Sequence, residues 1–301
     1  MKTLITLVGP TGIGKTDLSI FLALKLNTEI ISVDSRQFYK ELKIGTAVPD
    51  ITQLSAVKHH FVGHLSIHDY YNASIYEFEV LELLNDLFKT HEKVLMVGGS
   101  GMYVDAVCKG IDDLPEIDPE IRAQLQEKYQ REGIESLRFE LKRLDPEYYA
   151  MVDLKNPKRI LKGLEICMMT GKTYTSFRKA LIKERQFKII KIGLKMDREK
   201  LYRRIDARVD KMIEAGLIDE VKALYPYKGI NSLNTVGYKE LFDHFDGLYD
   251  LNKAIELIKR NSRHYAKRQL SWFGRDKEIN WFEPEKNDEI LDFIRTTFQI
   301  Y

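Results

Sequence analysis

Residues 9–16 read Gly-Pro-Thr-Gly-Ile-Gly-Lys-Thr, the spacing G-x-x-x-x-G-K-T. An apolar run from Leu4 to Val8 precedes them. A helical pattern follows, with Leu18, Phe21, Leu22 and Leu26 on one face. Strand, glycine-rich turn and helix in that order build a phosphate cradle. Gly9, Gly12 and Gly14 let the backbone curl so that its N–H groups point inward at an anion, and Pro10, Thr11 and Ile13 complete the loop. Lys15 supplies a point charge to terminal phosphates. Thr16 offers a hydroxyl to a magnesium ion, and the helix N-terminus adds its dipole. The motif specifies a phosphate-bearing ligand without specifying a nucleotide.

Further runs carry chemistry. Ser32-Val33-Asp34-Ser35-Arg36-Gln37 closes a strand-like segment, and ligands of open α/β sheets bind at the carboxyl ends of strands. Asp34 therefore faces the same crevice as the phosphate loop. It suits either magnesium binding or acceptance of a proton from an attacking group; the bland alternative is a turn former. A later strand runs into Gly98-Gly99-Ser100-Gly101-Met102-Tyr103. Glycines there permit close backbone approach to a ligand, and Ser100 adds a hydroxyl. Many ATP hydrolases place an acidic pair at that point, so its absence argues against a motor. Arg204 and Arg208 share a helix face, where either neutralises phosphate charge or joins Asp206 and Asp210 in an ordinary salt-bridged helix. Thr235-Val236-Gly237-Tyr238 reads as a helix-start turn. Lys267-Arg268-Gln269 lies on a basic helix with Tyr265, Trp272 and Phe273, which either grips phosphates and stacks bases or packs its aromatics inward.

The elements that position these residues alternate. Strands are expected over Thr3–Val8, 29–33, 93–97 and Lys188–Leu194. A helix between the second and third opens on Ser74 and Glu77 as a capping box. Such alternation gives an α/β fold, a P-loop NTPase-like doubly wound parallel sheet. From about Gly110 to Gln186 the pattern is helical throughout. Asp118-Pro119, Asp145-Pro146 and Asn156-Pro157 each read as an N-cap followed by proline in the first turn. The expected organisation is a catalytic core of residues 1–110 and 187–301, ending in a long basic helix over Leu251–Phe273, with an all-helical insertion over 111–186.

Bulk composition narrows the class. The 301 residues are 44% hydrophobic and 31% charged, with a net charge of +2, as in ordinary soluble domains. No apolar run is long enough to span a bilayer. The N-terminus runs straight into strand and phosphate loop, which argues against a cleaved signal peptide. Cys108 and Cys167, without metal-ligand spacing, suit a reduced cytoplasmic protein. Charge is unevenly placed. Residues 155–188 hold ten Lys/Arg against two Asp/Glu, and residues 259–277 hold seven against one. These segments suggest a localised polyanion surface or else solvated helix faces. Asp112, Asp113, Glu116, Asp118 and Glu120 form an acidic cluster.

Taken together, GPTGIGKT, SVDSRQFYKELKIGTAVP, VGGSGMY, LPEIDPEIR, NPKRILKGLEI, RVDKMIEAGL, TVGYKEL and AKRQLSWF resemble the tRNA dimethylallyltransferase family, in the family's order from Gly9 to Phe273. That resemblance implies transfer of a dimethylallyl group from its diphosphate to the N6 amine of the adenine just 3′ of the anticodon, in tRNAs reading U-starting codons. It implies that Gly9 to Thr16 cradle the diphosphate, with magnesium as cofactor on Thr16. Asp34 matches the family's general base, and Asp34, Ser35, Arg36 and Gln37 match a segment that contacts the target base. Ser100 stands where the family more often has threonine. Arg208 matches an arginine near the diphosphate. Arg122 and the stretch Lys158, Arg159, Ile160, Leu161 and Lys162 match positions that contact tRNA; lysine at 162 replaces the more usual arginine and loses bidentate contact. Val48 replaces a more usual lysine. The implied partners are the tRNA anticodon stem-loop and dimethylallyl diphosphate, with no membrane, for a cytoplasmic monomer. Three competing readings differ in what they consume: an isopentenyltransferase acting on free adenine nucleotides, an ATP-requiring small-molecule kinase, and a non-catalytic RNA-binding protein with a relic loop.

Overall fold

Every residue of β1 (Thr3–Val8) is buried, which marks a central strand covered on both faces. In the computed structural model, which describes residues 2–112, 114–115, 118–179 and 182–299, β1 sits fourth in a six-stranded sheet of order β3-β2-β4-β1-β5-β6. The other strands are β2 (Ile30–Ser32), β3 (His59–His60), β4 (Lys93–Gly98), β5 (Lys188–Leu194) and β6 (Asn280–Phe282). All pairings are parallel. Registers Thr3↔Lys93 and Thr3↔Lys188 place the carboxyl ends of β4 and β5 beside the start of the phosphate loop. Asp113, Glu116 and Ile117, from the acidic cluster and the LPEIDPEIR run, lie outside the described residues.

Strand alternation sorts the core into two layers. Ile5, Leu7, Leu95 and Ile192 pack on one face with Leu18 and Leu22 of the Lys15–Leu26 helix and Leu201 and Ile205 of the Arg198–Glu214 helix. Leu4, Val8, Val94 and Met96 pack on the other with Tyr76, Val80 and Leu84 of the Ala73–Leu87 helix. Complete burial of such a side chain stabilises by about 1.5–3 kcal/mol. A third apolar cluster joins Leu42 to Leu217, Val221, Tyr238, Leu241 and Ile258.

The chain divides into two units, residues 1–108 with 184–301, and residues 109–183. Helices Pro119–Leu144, Pro146–Met151, Pro157–Thr170 and Tyr174–Phe177 form the second. Asp118, Asp145 and Asn156 each accept from an N-terminal amide of the following helix, with proline in its first turn. Leu125, Leu137, Leu141, Tyr148, Ile160 and Leu164 make its core. The buried Asp145 also accepts from Thr175 N at 2.8 Å, tying two helices of this unit together.

Two details depart from the sequence reading. β3 and β6 are short and carry too little apolar alternation to register as strands. The expected capping box at Ser74 and Glu77 is absent: Asn72 caps the helix, accepting from Ser74 N and Ile75 N. Glu77 is drawn instead into a buried ion pair with Arg185, whose guanidinium also donates to the Val107 and Ala106 carbonyls.

Candidate active site

The phosphate loop leaves β1 and enters its helix through Gly14, at φ +103°, a left-handed conformation that suits glycine. Lys15 folds back over the loop, donating to the carbonyls of Gly9 (3.0 Å) and Pro10 (2.8 Å). Burial pulls its pKa down to about 7; Asp34 pulls it back up, and Arg208 pushes it further down. These three charges therefore sense one another across a single site.

Asp34 follows β2 and its turn. Its Oδ1 accepts from Arg36 N at 3.1 Å, fixing the carboxylate as the head of a tight turn. Ser100, on the glycine-rich loop after β4, accepts from Ser35 N (2.9 Å) and donates to Ser35 Oγ (3.1 Å). Tyr265 also bonds to Ser100. Burial, and then Asp34, push its phenol up to about 12, so it stays protonated beside the carboxylate. Gln37 donates to the carbonyls of Thr46 (3.2 Å) and Ala47 (3.1 Å). Arg36 donates to Ser232 O at 2.9 Å and Asn234 O at 3.4 Å. Each of residues 34–37 is thus held in a stated direction.

Arg208 reaches the same place from the Arg198–Glu214 helix. It donates to Thr11 Oγ1 (3.0 Å) and to Thr46 O (3.4 Å). Burial lowers its pKa, and Asp34 counters that. Arg204, one turn earlier, lines the phosphate-loop cavity and lies 3.8 Å from Glu285. Asp206 and Asp210 pair instead with Arg263 and Lys259 of the Leu251–Phe273 helix. That helix also carries Gln269, which accepts from Thr11 N (2.8 Å) and donates to Gly99 O (2.9 Å). One side-chain amide so bridges the loops after β1 and β4. A Cβ at Gly99 would lie 2.1 Å from the Gln269 nitrogen, so a side chain there would have to displace the bridging amide.

Two cavities meet here. One, of about 610 Å³, is lined by Thr11, Lys15, Thr16, Asp34, Arg208 and Gln269 among others. The second, of about 450 Å³, is lined by Asp34, Ser35, Arg36, Arg208, Tyr265 and Arg268 among others. They share Thr11, Asp34 and Arg208. Thr16 and Asp34 face one cavity with a hydroxyl and a carboxylate, the hard oxygen donors magnesium takes. Among the described residues no cluster of three or more His, Cys, Asp or Glu could cage a metal.

In the helical unit, Arg122 is clamped by Glu165, Nε at 2.8 Å and Nη2 at 3.3 Å. Lys162 stands beside that pair; burial lowers its pKa, Glu165 raises it and Arg122 lowers it. Lys158 and Arg159 are exposed. Ile160 is fully buried in the unit's core, so its side chain offers no surface for contact, and Leu161 packs against that core. The helical period turns 158, 159 and 162 outward and 160 inward. Sequence reasoning missed Glu220, whose carboxylate accepts three backbone N–H groups of residues 43–45. The available signal was an acid three residues after Leu217 on an otherwise apolar helix face.

Comparison with known proteins places these features in context. A family model described as IPP transferase matches residues 37–276. A tRNA dimethylallyltransferase 1 of Bacteroides thetaiotaomicron is 58% identical over 295 residues, covering 98% of this chain and 96% of the relative. A tRNA dimethylallyltransferase of Christiangramia forsetii is 53% identical over 294 residues, covering 97% of each. The crystal structure of a full-length tRNA isopentenylpyrophosphate transferase from Bacillus halodurans superposes with a TM-score of 0.72 at 35% identity, covering 99% of this chain and 97% of that one. A eukaryotic dimethylallyltransferase captured acting on tRNA gives 0.74 at 28% identity, covering 91% and 70%.

Proposed function

Because the chain belongs to the IPP transferase family, we propose that it transfers a dimethylallyl group from dimethylallyl diphosphate to the N6 amine of the adenine 3′-adjacent to the anticodon in tRNAs reading U-starting codons, as a cytoplasmic monomer. The observation that carries this reading is the meeting of a phosphate-loop cavity and a second cavity at Thr11, Asp34 and Arg208. A diphosphate in the first and an adenine in the second would bring the donor carbon to the amine beside a carboxylate.

The chemistry follows from these groups. The N6–C1 bond forms as the C1–O bond to diphosphate breaks, and that bond's electron pair leaves with the diphosphate. An aromatic amine is a weak nucleophile, so its proton must depart as the bond forms, and Asp34 accepts it. Lys15, Arg208 and the loop amides stabilise charge growing on the leaving group. Magnesium bound at Thr16, with Asp34 across the cavity, would add charge neutralisation to the diphosphate. Ile205, Val209, Met212 and Leu217 line the second cavity and help exclude water that would hydrolyse an allylic cation. The adenine must be turned out of its stack to reach Asp34. The helical unit, through Arg122, Lys158, Arg159 and Lys162, would hold the anticodon stem-loop largely by phosphate contacts.

The test is a transfer assay with radiolabelled dimethylallyl diphosphate, magnesium and either unmodified tRNA or AMP. Label in tRNA alone is the expected result. Label in AMP moves the acceptor to free nucleotides. No label in either, with ATP consumed instead, replaces the reading with a kinase.

A further inference from the structure

The loop of residues 42–48 holds the back of the active site, and it is held in turn by a residue outside the cleft. We infer that Glu220 is a positioning residue for the reaction, locking this loop so that its carbonyls fix Arg208 and Gln37. The inference rests on the function proposed above.

Glu220 lies in the Leu217–Leu224 helix and is half-buried. Its Oε2 accepts from Lys43 N (3.1 Å) and Ile44 N (2.8 Å), and its Oε1 from Gly45 N (3.0 Å) and from Tyr238 Oη (2.5 Å). Four donors therefore converge on one carboxylate, a set that an acceptor-only group satisfies and an amide does not. The fit is close: a Cβ at Gly45 would lie 2.4 Å from the Tyr238 ring. Immediately beyond, Thr46 O receives both Arg208 and Gln37, and Ala47 O receives Gln37 again. Ala47 has φ +45°, a left-handed conformation that a non-glycine residue keeps only where its surroundings impose it. The Glu220 latch ends two residues before it, at Gly45, and the Ala47 N–H closes back on Ile44 O within the latched segment. Arg208 in turn holds Thr11 of the phosphate loop. A path of hydrogen bonds and one backbone step, from Gly45 to Thr46, therefore runs from Glu220 to Arg208 and the phosphate loop.

The experiment compares wild type, Glu220→Gln and the milder Tyr238→Phe, which removes one of the four donors and preserves the remainder. The measurements are kcat, KM for each substrate, the Kd of inorganic diphosphate and thermal stability. A double-mutant cycle combines Glu220→Gln with Arg208→Ala. Glu220→Gln is expected to weaken diphosphate at least tenfold and to lower kcat, with the tRNA KM little changed. Tyr238→Phe should move the same quantities in the same direction, less far. The cost of Arg208→Ala should shrink in the Glu220→Gln background, because the arginine is already misplaced. A lower melting temperature with unchanged kcat, KM and diphosphate Kd in both single variants, or full additivity in the cycle, would overturn the inference. A wild type that neither binds diphosphate nor transfers label would instead overturn the function on which it rests, and the inference with it.

Discussion

Asp34 separates chemistry from binding. Asp34→Asn should lower kcat by about 10²–10⁴-fold, the range for a lost general base, in single-turnover transfer assays. It also withdraws a carboxylate that favours the Lys15 proton, so the fall of diphosphate affinity with rising pH should set in at a lower pH than in the wild type, read at pH 6 and pH 7. A variant with wild-type kcat at both pH values would remove Asp34 from the mechanism. Lys15 gives a pH prediction of definite sign. Without ligand its pKa is about 7, and a bound diphosphate raises it. Binding at pH 8 should therefore take up a proton, and affinity should weaken as pH rises through 7. Calorimetry in buffers of different ionisation heat measures that uptake, and Lys15→Met subtracts the ligand's own protons. The stability sign is opposite. Between about pH 7 and the ordinary lysine range the unfolded chain holds the extra proton, so this group's contribution to ligand-free stability rises with pH. Much of this residue-level picture is local, and so legible in the sequence: the phosphate loop, Asp34 and Ser100 all follow strand ends. The charge on Arg208 is equally plain, but its anchors are not, because Thr11 and Thr46 lie far away along the chain.

Elements were readable where local chemistry decides them. β1 and β5 are apolar and rich in β-branched residues, and three Asx-Pro pairs start three helices, because cap and proline act within one turn. The reading failed where tertiary contact overrides a local signal. Ser74 and Glu77 have capping-box spacing, yet Asn72 takes the cap and Arg185 takes the glutamate. The Leu251–Phe273 helix shows how much the sequence leaves open. Its span and charge are plain, but its job turns on Gln269, whose partners lie on two distant loops. Gln269→Leu takes the partner from the part-buried Thr11 N–H and the buried Gly99 carbonyl. It should cost about 2–6 kcal/mol, at about 1–3 kcal/mol for each of the two groups, seen as a shifted denaturant midpoint, and should raise the Kd for inorganic diphosphate. Unchanged stability would show that the bridge between these loops is dispensable.

Across the whole molecule, charge matters by location, since the net value of +2 is close to neutral. Lys158→Ala and Arg159→Ala should each weaken tRNA binding and reduce the slope of log K against log salt by about 1, the signature of one lost phosphate contact. Inorganic diphosphate binding should not change. Ile160→Ala, next to them in sequence but buried, should instead lower stability by about 2–5 kcal/mol and leave the salt slope alone. An unaltered slope in the two basic variants would count against this helix as the tRNA surface. The order of strands in the sheet also bears on how the protein is made. β1 leaves the ribosome first, but its neighbour β5 begins at Lys188 and Gln269 emerges later still. At about 5–20 residues per second, the phosphate loop spends roughly ten seconds or more without the strand beside it or the amide that braces it. The whole 109–183 unit is synthesised within that interval. A message cut short before codon 269 therefore yields a chain with the phosphate loop and the glycine-rich loop after β4 but no brace between them. Activity arrives late in translation, and truncated products are expected to be inert competitors for chaperones rather than weak enzymes.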